Sequence, residues 1–179
     1  DRAVALEQAM LLFWRHGYEA TSLSDLTRAL GVTAPSIYSA FGNKKALFLE
    51  AVDLYLSGGS SPTAIIDAAP SARDAAQILM EGAAIAFTGD ATPPGCMLAT
   101  SAISVSADAT DVQAHLAAIR NGVEAHLRLR IEADVASGAL PPQTDAEILA
   151  AHTTAIIQGL STLARDGAAR DKLLRVARS

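Results

Sequence analysis

Apolar residues return at three- and four-residue steps through most of the chain, and β-branched runs are scarce. That periodicity, with abundant Ala, predicts an all-α fold. Residues 2–16 form the first helix: Val4, Leu6, Ala9, Met10 and Phe13 supply its apolar face and Gly17 stops it. Shorter helices follow over about 23–30, 34–41 and 44–56, the last with a broad face of Leu47, Phe48, Ala51, Val52, Tyr55 and Leu56. Residues 57–70, rich in Ser, Gly and Pro, read as a linker with at most a turn of helix. Further helices are expected over about 71–88, 96–105, 109–137, 145–165 and 168–178, with breaks at the Pro93-Pro94-Gly95 loop, at Gly138 with Pro141-Pro142, and at Gly167. The count is nine helices.

The stretch from Thr21 to Lys44 has the densest local signals. Ser22 with Asp25 three residues on resembles a capping box. Leu23, Leu26 and Leu30 mark one buried face, Gly31 ends that helix, and Val32 is expected in the core of the turn. Thr33 is a second N-cap, and Pro35 lies in the first turn, where its missing N–H costs nothing. Ile37 and Phe41, four apart, point inward; Pro35 and Ser39 then point outward, with Ser36 and Tyr38 on the flanks. Asn43 caps the next helix and Lys44 lies at its positive end. Two short helices about a Gly turn, with small polar residues outward, fit a helix-turn-helix whose second helix enters a major groove. The same outline also describes a helical hairpin in any all-α protein.

The wider context separates the two. Phe13-Trp14-Arg15-His16-Gly17-Tyr18 through Thr21-Ser22, then Leu30-Gly31-Val32-Thr33, then Ile37-Tyr38-Ser39-Ala40-Phe41-Gly42-Asn43-Lys44-Lys45-Ala46-Leu47 follow one another without gaps. This order resembles the amino-terminal domain of the TetR family of bacterial transcriptional regulators. The resemblance implies a three-helix DNA-binding domain, taken as 1–46, and a helical ligand-binding and dimerisation domain over 47–179. It also implies that Ala34, Pro35, Ser36, Tyr38 and Ser39 contact an operator and that Lys44 holds a phosphate. Ser22, Arg28 and Thr33 complete the expected DNA-facing set. Tyr38 suits a phosphate better than a base, because a phenol has one donor and no bidentate pairing. With no Arg, Asn or Gln on residues 34–41, direct base readout should be lean.

Charge modifies this picture. Residues 1–57 hold five basic against six acidic side chains, and the remainder nine against thirteen. A DNA footprint must therefore be local, built from Lys44, Lys45, Arg28, helix N-termini and backbone N–H groups. In the resembled family a short basic arm precedes the first helix and would add to it. The acidic remainder suits a half that stays off DNA. No uninterrupted apolar run of membrane-spanning length occurs, and a cytoplasmic location is expected.

Enzymatic readings find little support. His115 and His126 share a helix face but stand about 16 Å apart by helix rise, too far for one metal. Gly58-Gly59-Ser60-Ser61 lacks a following Lys and a preceding strand, so it is no phosphate loop, and no His-Glu-x-x-His or Gly-x-Ser-x-Gly occurs. Cys96, the one cysteine, reads as a packed or pocket-lining thiol. No enzyme, metal or cofactor is expected. A ligand-switched DNA-binding repressor and a helical small-molecule-binding or dimerisation module without active DNA binding both remain open.

The resemblance also implies a two-fold homodimer made by the last two helices. Ala151, Ala155, Gln158, Gly159 and Thr162 form a small-residue face for a partner helix, with Ile148, Ile156, Leu160 and Leu163 packing inward. An effector pocket is expected between the helices at 71–88, 96–105 and 109–131, walled by Leu79, Gly82, Ala83, Ala86, Met97, Thr100, His115 and Ile119. Without a charged cluster there, the effector should be a neutral lipophilic or aromatic compound. The partners expected are thus double-stranded operator DNA, that effector and a second copy of the chain.

Overall fold

Capping chemistry sets where the helices begin. In the computed structural model, which describes residues 1–59 and 61–179, the Asp1 carboxylate accepts the Ala3 N–H and opens α1 (Arg2–His16). Ser22 Oγ accepts the Asp25 N–H while the Asp25 carboxylate accepts the Ser22 N–H, so a closed capping box opens α2 (Leu23–Leu30). Gly31 ends α2 at φ 65°, a left-handed conformation that costs a side-chain-bearing residue about 1 kcal/mol or more. Thr33 caps α3 (Ala34–Phe41), and Asn43 Oδ1 accepts the Ala46 N–H at 2.8 Å to open α4 (Lys44–Ser57). The remaining helices are α5 (Pro62–Ala68), α6 (Ala72–Ala86), α7 (Met97–Thr100), α8 (Thr110–Ala136), α9 (Ala146–Arg165) and α10 (Arg170–Ala177), with a 3-10 turn over Ala107–Ala109. Among the described residues these are the nine expected helices plus α5.

The chain divides into two compact units. The first holds Asp1–Gly59 with Cys96–Ala117. Its core is Phe13, Leu26, Ile37, Phe41, Leu47, Phe48 and Met97, all buried. Phe13 meets Phe48 edge-on at 5.0 Å between centroids, and Tyr18 meets Phe48 at the same distance. The expected boundary after residue 46 falls inside α4, whose Leu47, Phe48, Ala51 and Val52 are buried against α1. Val32, expected in the core of the turn, is 37% exposed. The expected helix over 96–105 is a single turn. The Ser101 carbonyl accepts the Tyr18 N–H at 2.7 Å and its hydroxyl donates to the Phe13 carbonyl, so this backbone bonds to the end of α1.

The second unit holds Ser60–Gly95 with Ala118–Ser179. Ile66, Ala72, Ala75, Leu79, Leu127, Ile131 and Ala150 pack together at its centre. Ile66 is fully buried, which is why much of the expected linker is helical; Ser60 of that linker lies outside the described residues. Asp134 of α8 accepts the first N–H of α6, from Ala72, at 2.7 Å and pairs with Arg130 at 3.2 Å. Arg130 also donates to the Pro70 carbonyl. The polar stripe of α6 seats α10: Glu81 pairs with Arg178, Gln77 donates to the Ala177 carbonyl, and Thr88 accepts from Arg170. α6 packs on α5, α9 and α10 with Ala75 and Leu79 buried, and only one flank of it, Ile78, Gly82, Ile85 and Ala86, is exposed.

Candidate nucleic-acid interface

The presentation of α3 follows from two inward residues. Ile37 and Phe41 are buried, and their neighbours Pro35, Ser36, Tyr38, Ser39 and Ala40 are therefore exposed, with Ala34 half-buried. Tyr38 is 50% exposed, so about half of its side chain stands in solvent on this face. Thr33 and Ser36 hydroxyls lie 2.9 Å apart at the start of α3, and the Thr33 oxygen accepts the Ser36 N–H. Ser22 is exposed but its hydroxyl is spent on Asp25. Arg28 is exposed and 3.5 Å from the Asp25 carboxylate. That carboxyl sits below its ordinary range, first because of the Ser22 hydroxyl and then the Ser22 N–H.

Lys44, in the first turn of α4, does not project freely. Its Nζ lies 4.5 Å from the centroid of the Tyr18 ring. Burial lowers its pKa, and the Glu19 carboxylate partly offsets that. Glu19 is itself held by the N–H and hydroxyl of Ser106, at 2.7 and 2.8 Å, which lower its pKa. Lys45 points elsewhere, pairing with Asp111 at 2.7 Å.

Arg2 is a residue that sequence reasoning missed. Its guanidinium donates to both Glu50 carboxylate oxygens, at 2.9 and 2.6 Å, and to the Ala40 carbonyl at the end of α3, and it lies 4.5 Å over the Phe41 ring. One side chain thus ties α1 to α3 and α4. No local pattern marks a contact made across 38 residues or more; in the sequence Arg2 is only one of the five basic side chains of residues 1–57.

The sequence pattern of the family described as bacterial regulatory proteins, tetR family, matches residues 5–51, and that of the tetracyclin repressor-like C-terminal domain matches residues 74–179. The chain belongs to the TetR family. Similar proteins include the transcriptional repressor ComR of Escherichia coli, 36% identical over 179 residues covering 99% of this chain and 85% of ComR. A second E. coli repressor, BdcR, is 32% identical over 110 residues, spanning 60% of this chain and 55% of BdcR. Among solved structures, the TetR-family regulator CifR in complex with 26-bp operator DNA superposes with a TM-score of 0.92 and 37% identity, covering 99% of this chain and 94% of that one. The present chain is an all-α, DNA-binding transcriptional regulator of this family and not an enzyme.

In this TetR-type fold the residues expected to line an effector pocket are distributed over both units. Met97, Thr100 and His115 belong to the first; Leu79, Gly82, Ala83, Ala86 and Ile119 belong to the second. Met97 is a fully buried core residue, Thr100 donates to the Cys96 carbonyl of its own turn, and His115 is exposed. Leu79 packs in the core of its unit, Ala83 and Ile119 are half-buried, and Gly82 and Ala86 face solvent. A hollow of about 520 Å³ in the second unit is lined by Phe87, Thr88, Pro94, Gly167 and Arg170 among others, and by none of that set. Half-buried Cys96 accepts a hydrogen bond from the Tyr55 hydroxyl at 3.5 Å, and burial, with that thiol beside it, raises the Tyr55 pKa. On α9, Ala155, Gln158, Gly159 and Thr162 are exposed and Ala151 is half-buried. A Cβ on Gly159 would meet no atom within 4 Å. Leu160 is buried as expected, but Ile148 is 62% exposed; in that first turn of α9 it is Ala146 that packs against the core. Among the described residues, no helix is long and apolar enough to cross a membrane, and no group of three or more His, Cys, Asp or Glu could hold a metal ion.

Proposed function

We propose that this chain is a cytoplasmic repressor that holds a palindromic operator as a two-fold homodimer and releases it when a small, neutral lipophilic or aromatic molecule binds the second unit. The observation that carries the reading is the exposed polar face of α3: four residues, Pro35, Ser36, Tyr38 and Ser39, stand in solvent on a helix pinned from behind by Ile37 and Phe41. In this reading α3 enters the major groove, with Ala34 and Pro35 against thymine methyls. Tyr38 and Ser39 meet phosphates. Lys44 neutralises one phosphate and Arg28 adds to the footprint.

The exposed strip Ala155, Gly159 and Thr162, continued by Ile148, is the proposed face for the partner's α9, and protein two-fold symmetry would be mirrored in the operator half-sites. Ile78, Gly82, Ile85 and Ala86 offer apolar surface for an effector, which must bind one conformer better than the other to shift the equilibrium. The core position of Leu79 makes it a poor site to block such an effector; Gly82→Trp enters open space instead.

The decisive experiment is a gel shift with the DNA flanking the chain's own gene, repeated with Lys44→Ala across a salt series. Binding by the parent should weaken with salt, and Lys44→Ala should weaken it on every sequence and flatten the slope by about one unit. No shifted band with any flanking fragment would leave a helical module without active DNA binding as the better reading. For the effector, a thermal-shift screen of small lipophiles followed by gel shift with each hit tests the switch. A hit that stabilises the protein and leaves the DNA complex intact would refute the inducer role.

A further inference from the structure

We propose that Tyr18 is a positioning residue for DNA binding: the face of its ring seats the Lys44 ammonium so that this lysine meets a phosphate already ordered. The proposal rests on the reading of Lys44 as a phosphate contact. The Lys44 Nζ stands 4.5 Å from the Tyr18 ring centroid, where the negative face of the ring attracts a cation. The ring is a fixed platform. It is only 8% exposed, stacks beside Phe13 at 6.4 Å and 27°, and meets Phe48 at 5.0 Å and 61°. Its backbone N–H donates to the Ser101 carbonyl at 2.7 Å, and the next residue, Glu19, is fastened through its carboxylate to Ser106. The partly buried ammonium has already shed some of its water, as the downward shift of its pKa reflects. A lysine loose in solvent loses rotamer freedom on meeting a phosphate; a seated one has lost it beforehand.

The test uses the full chain with Tyr18 replaced by Phe and by mono-, di- and trifluorinated phenylalanine, which drain the ring face of negative charge while nearly keeping its shape. Binding to a duplex of random sequence is followed by fluorescence anisotropy, in the parent and in the Lys44→Ala background. Tyr18→Phe should bind as the parent does, since the hydroxyl is not the seat. Affinity should then fall with each fluorine, about two- to thirtyfold in all, in the Lys44 background and stay flat in Lys44→Ala. A flat series in both backgrounds, an equal fall in both, or tighter binding on fluorination would overturn the proposal; an equal fall would make Tyr18 a packing residue only. If Lys44→Ala neither weakens binding nor flattens the salt slope, the phosphate reading fails first and takes this one with it.

Discussion

Replacing Gly159 by Leu should separate the stability of the subunit from its pairing, because the two respond with opposite signs. Gly159 sits on the exposed side of α9, and a Cβ there meets nothing within 4 Å. Within one subunit the change only removes a mid-helix glycine, which should stabilise α9 by about 0.8 kcal/mol. In a dimer whose α9 helices approach over the Ala155, Gly159 and Thr162 strip, the same side chain is forced into a close contact. Overpacking costs about 1–3 kcal/mol per site, and a two-fold axis repeats it, giving about 2–6 kcal/mol against association. At about 1.4 kcal/mol per tenfold, the dimer dissociation constant should rise by about thirtyfold to twenty-thousandfold. Sedimentation equilibrium reads the association directly. Thermal melts at several concentrations read the other half, since a dimer's melting temperature climbs with concentration and a monomer's does not. The expected result is a monomer with a concentration-independent melting temperature at or above the dilute limit of the parent. An intact Gly159→Leu dimer would refute the interface, and a less stable monomer would refute the claim that the position is open. Gly159→Ala is the control: at least the full helical gain, with only a methyl group at the contact.

Arg2→Met should lower operator affinity a few-fold by loosening α3, at a cost of about 1–2 kcal/mol in stability from a partly exposed pair and one cation–π contact, while the salt slope stays unchanged; a slope flatter by about one unit would make Arg2 a phosphate contact instead. Asp134→Ala should destabilise the second unit by about 2–4 kcal/mol in urea unfolding, since it strips a charged acceptor from the start of α6 and leaves Arg130 without its carboxylate; a loss under about 0.5 kcal/mol would show that Ser71, whose hydroxyl accepts the Asp74 N–H, is a sufficient cap for that helix. Glu19, Asp25, Glu81 and Asp111 all have folded-state pKa values below their ordinary ones, so each contributes stability above its ordinary pKa that is lost as pH falls through the folded value. Melting temperature should therefore drop as pH is lowered from about 4.5, and less steeply in Glu19→Gln; a curve of unchanged steepness would mean that the Ser106 contact does not persist in solution.

Local rules carried the sequence reading of the DNA-binding unit. The capping box at Ser22, the turn at Gly31, the caps at Thr33 and Asn43, and the inward pair Ile37 and Phe41 are set by residues within a turn of one another. What periodicity could not supply was partners. Away from its polar stripe α6 is apolar round the rest of its circumference, yet Ile78 and Ile85 are about half exposed, because hydrophobicity does not say which neighbours arrive. The Ser-rich stretch after Thr100 has helical spacing, but the carbonyl and hydroxyl of Ser101 bond at the end of α1, a long-range competitor invisible in a local window. The same holds for Lys44. Its position at a helix start was legible; the ring of Tyr18 beneath it, 26 residues upstream in the chain, was not.

The outward side of α3 has a consequence for how such a regulator changes over generations. Ser36, Ser39 and Ala40 are exposed, short, and free of any role in the core formed by Ile37 and Phe41. If α3 enters the major groove as proposed, a single bidentate side chain at one of them would add about 1–3 kcal/mol of discrimination between bases. Until one arises, an operator can drift at many positions without losing its protein, and a promoter can acquire a weak site by chance. Codon changes at Ser39 or Ala40 then sharpen one of those sites while the helix beneath keeps its packing. A sparse reading surface is in that sense a starting point: the cost of acquiring a new target is one substitution, and the fold is not asked to change.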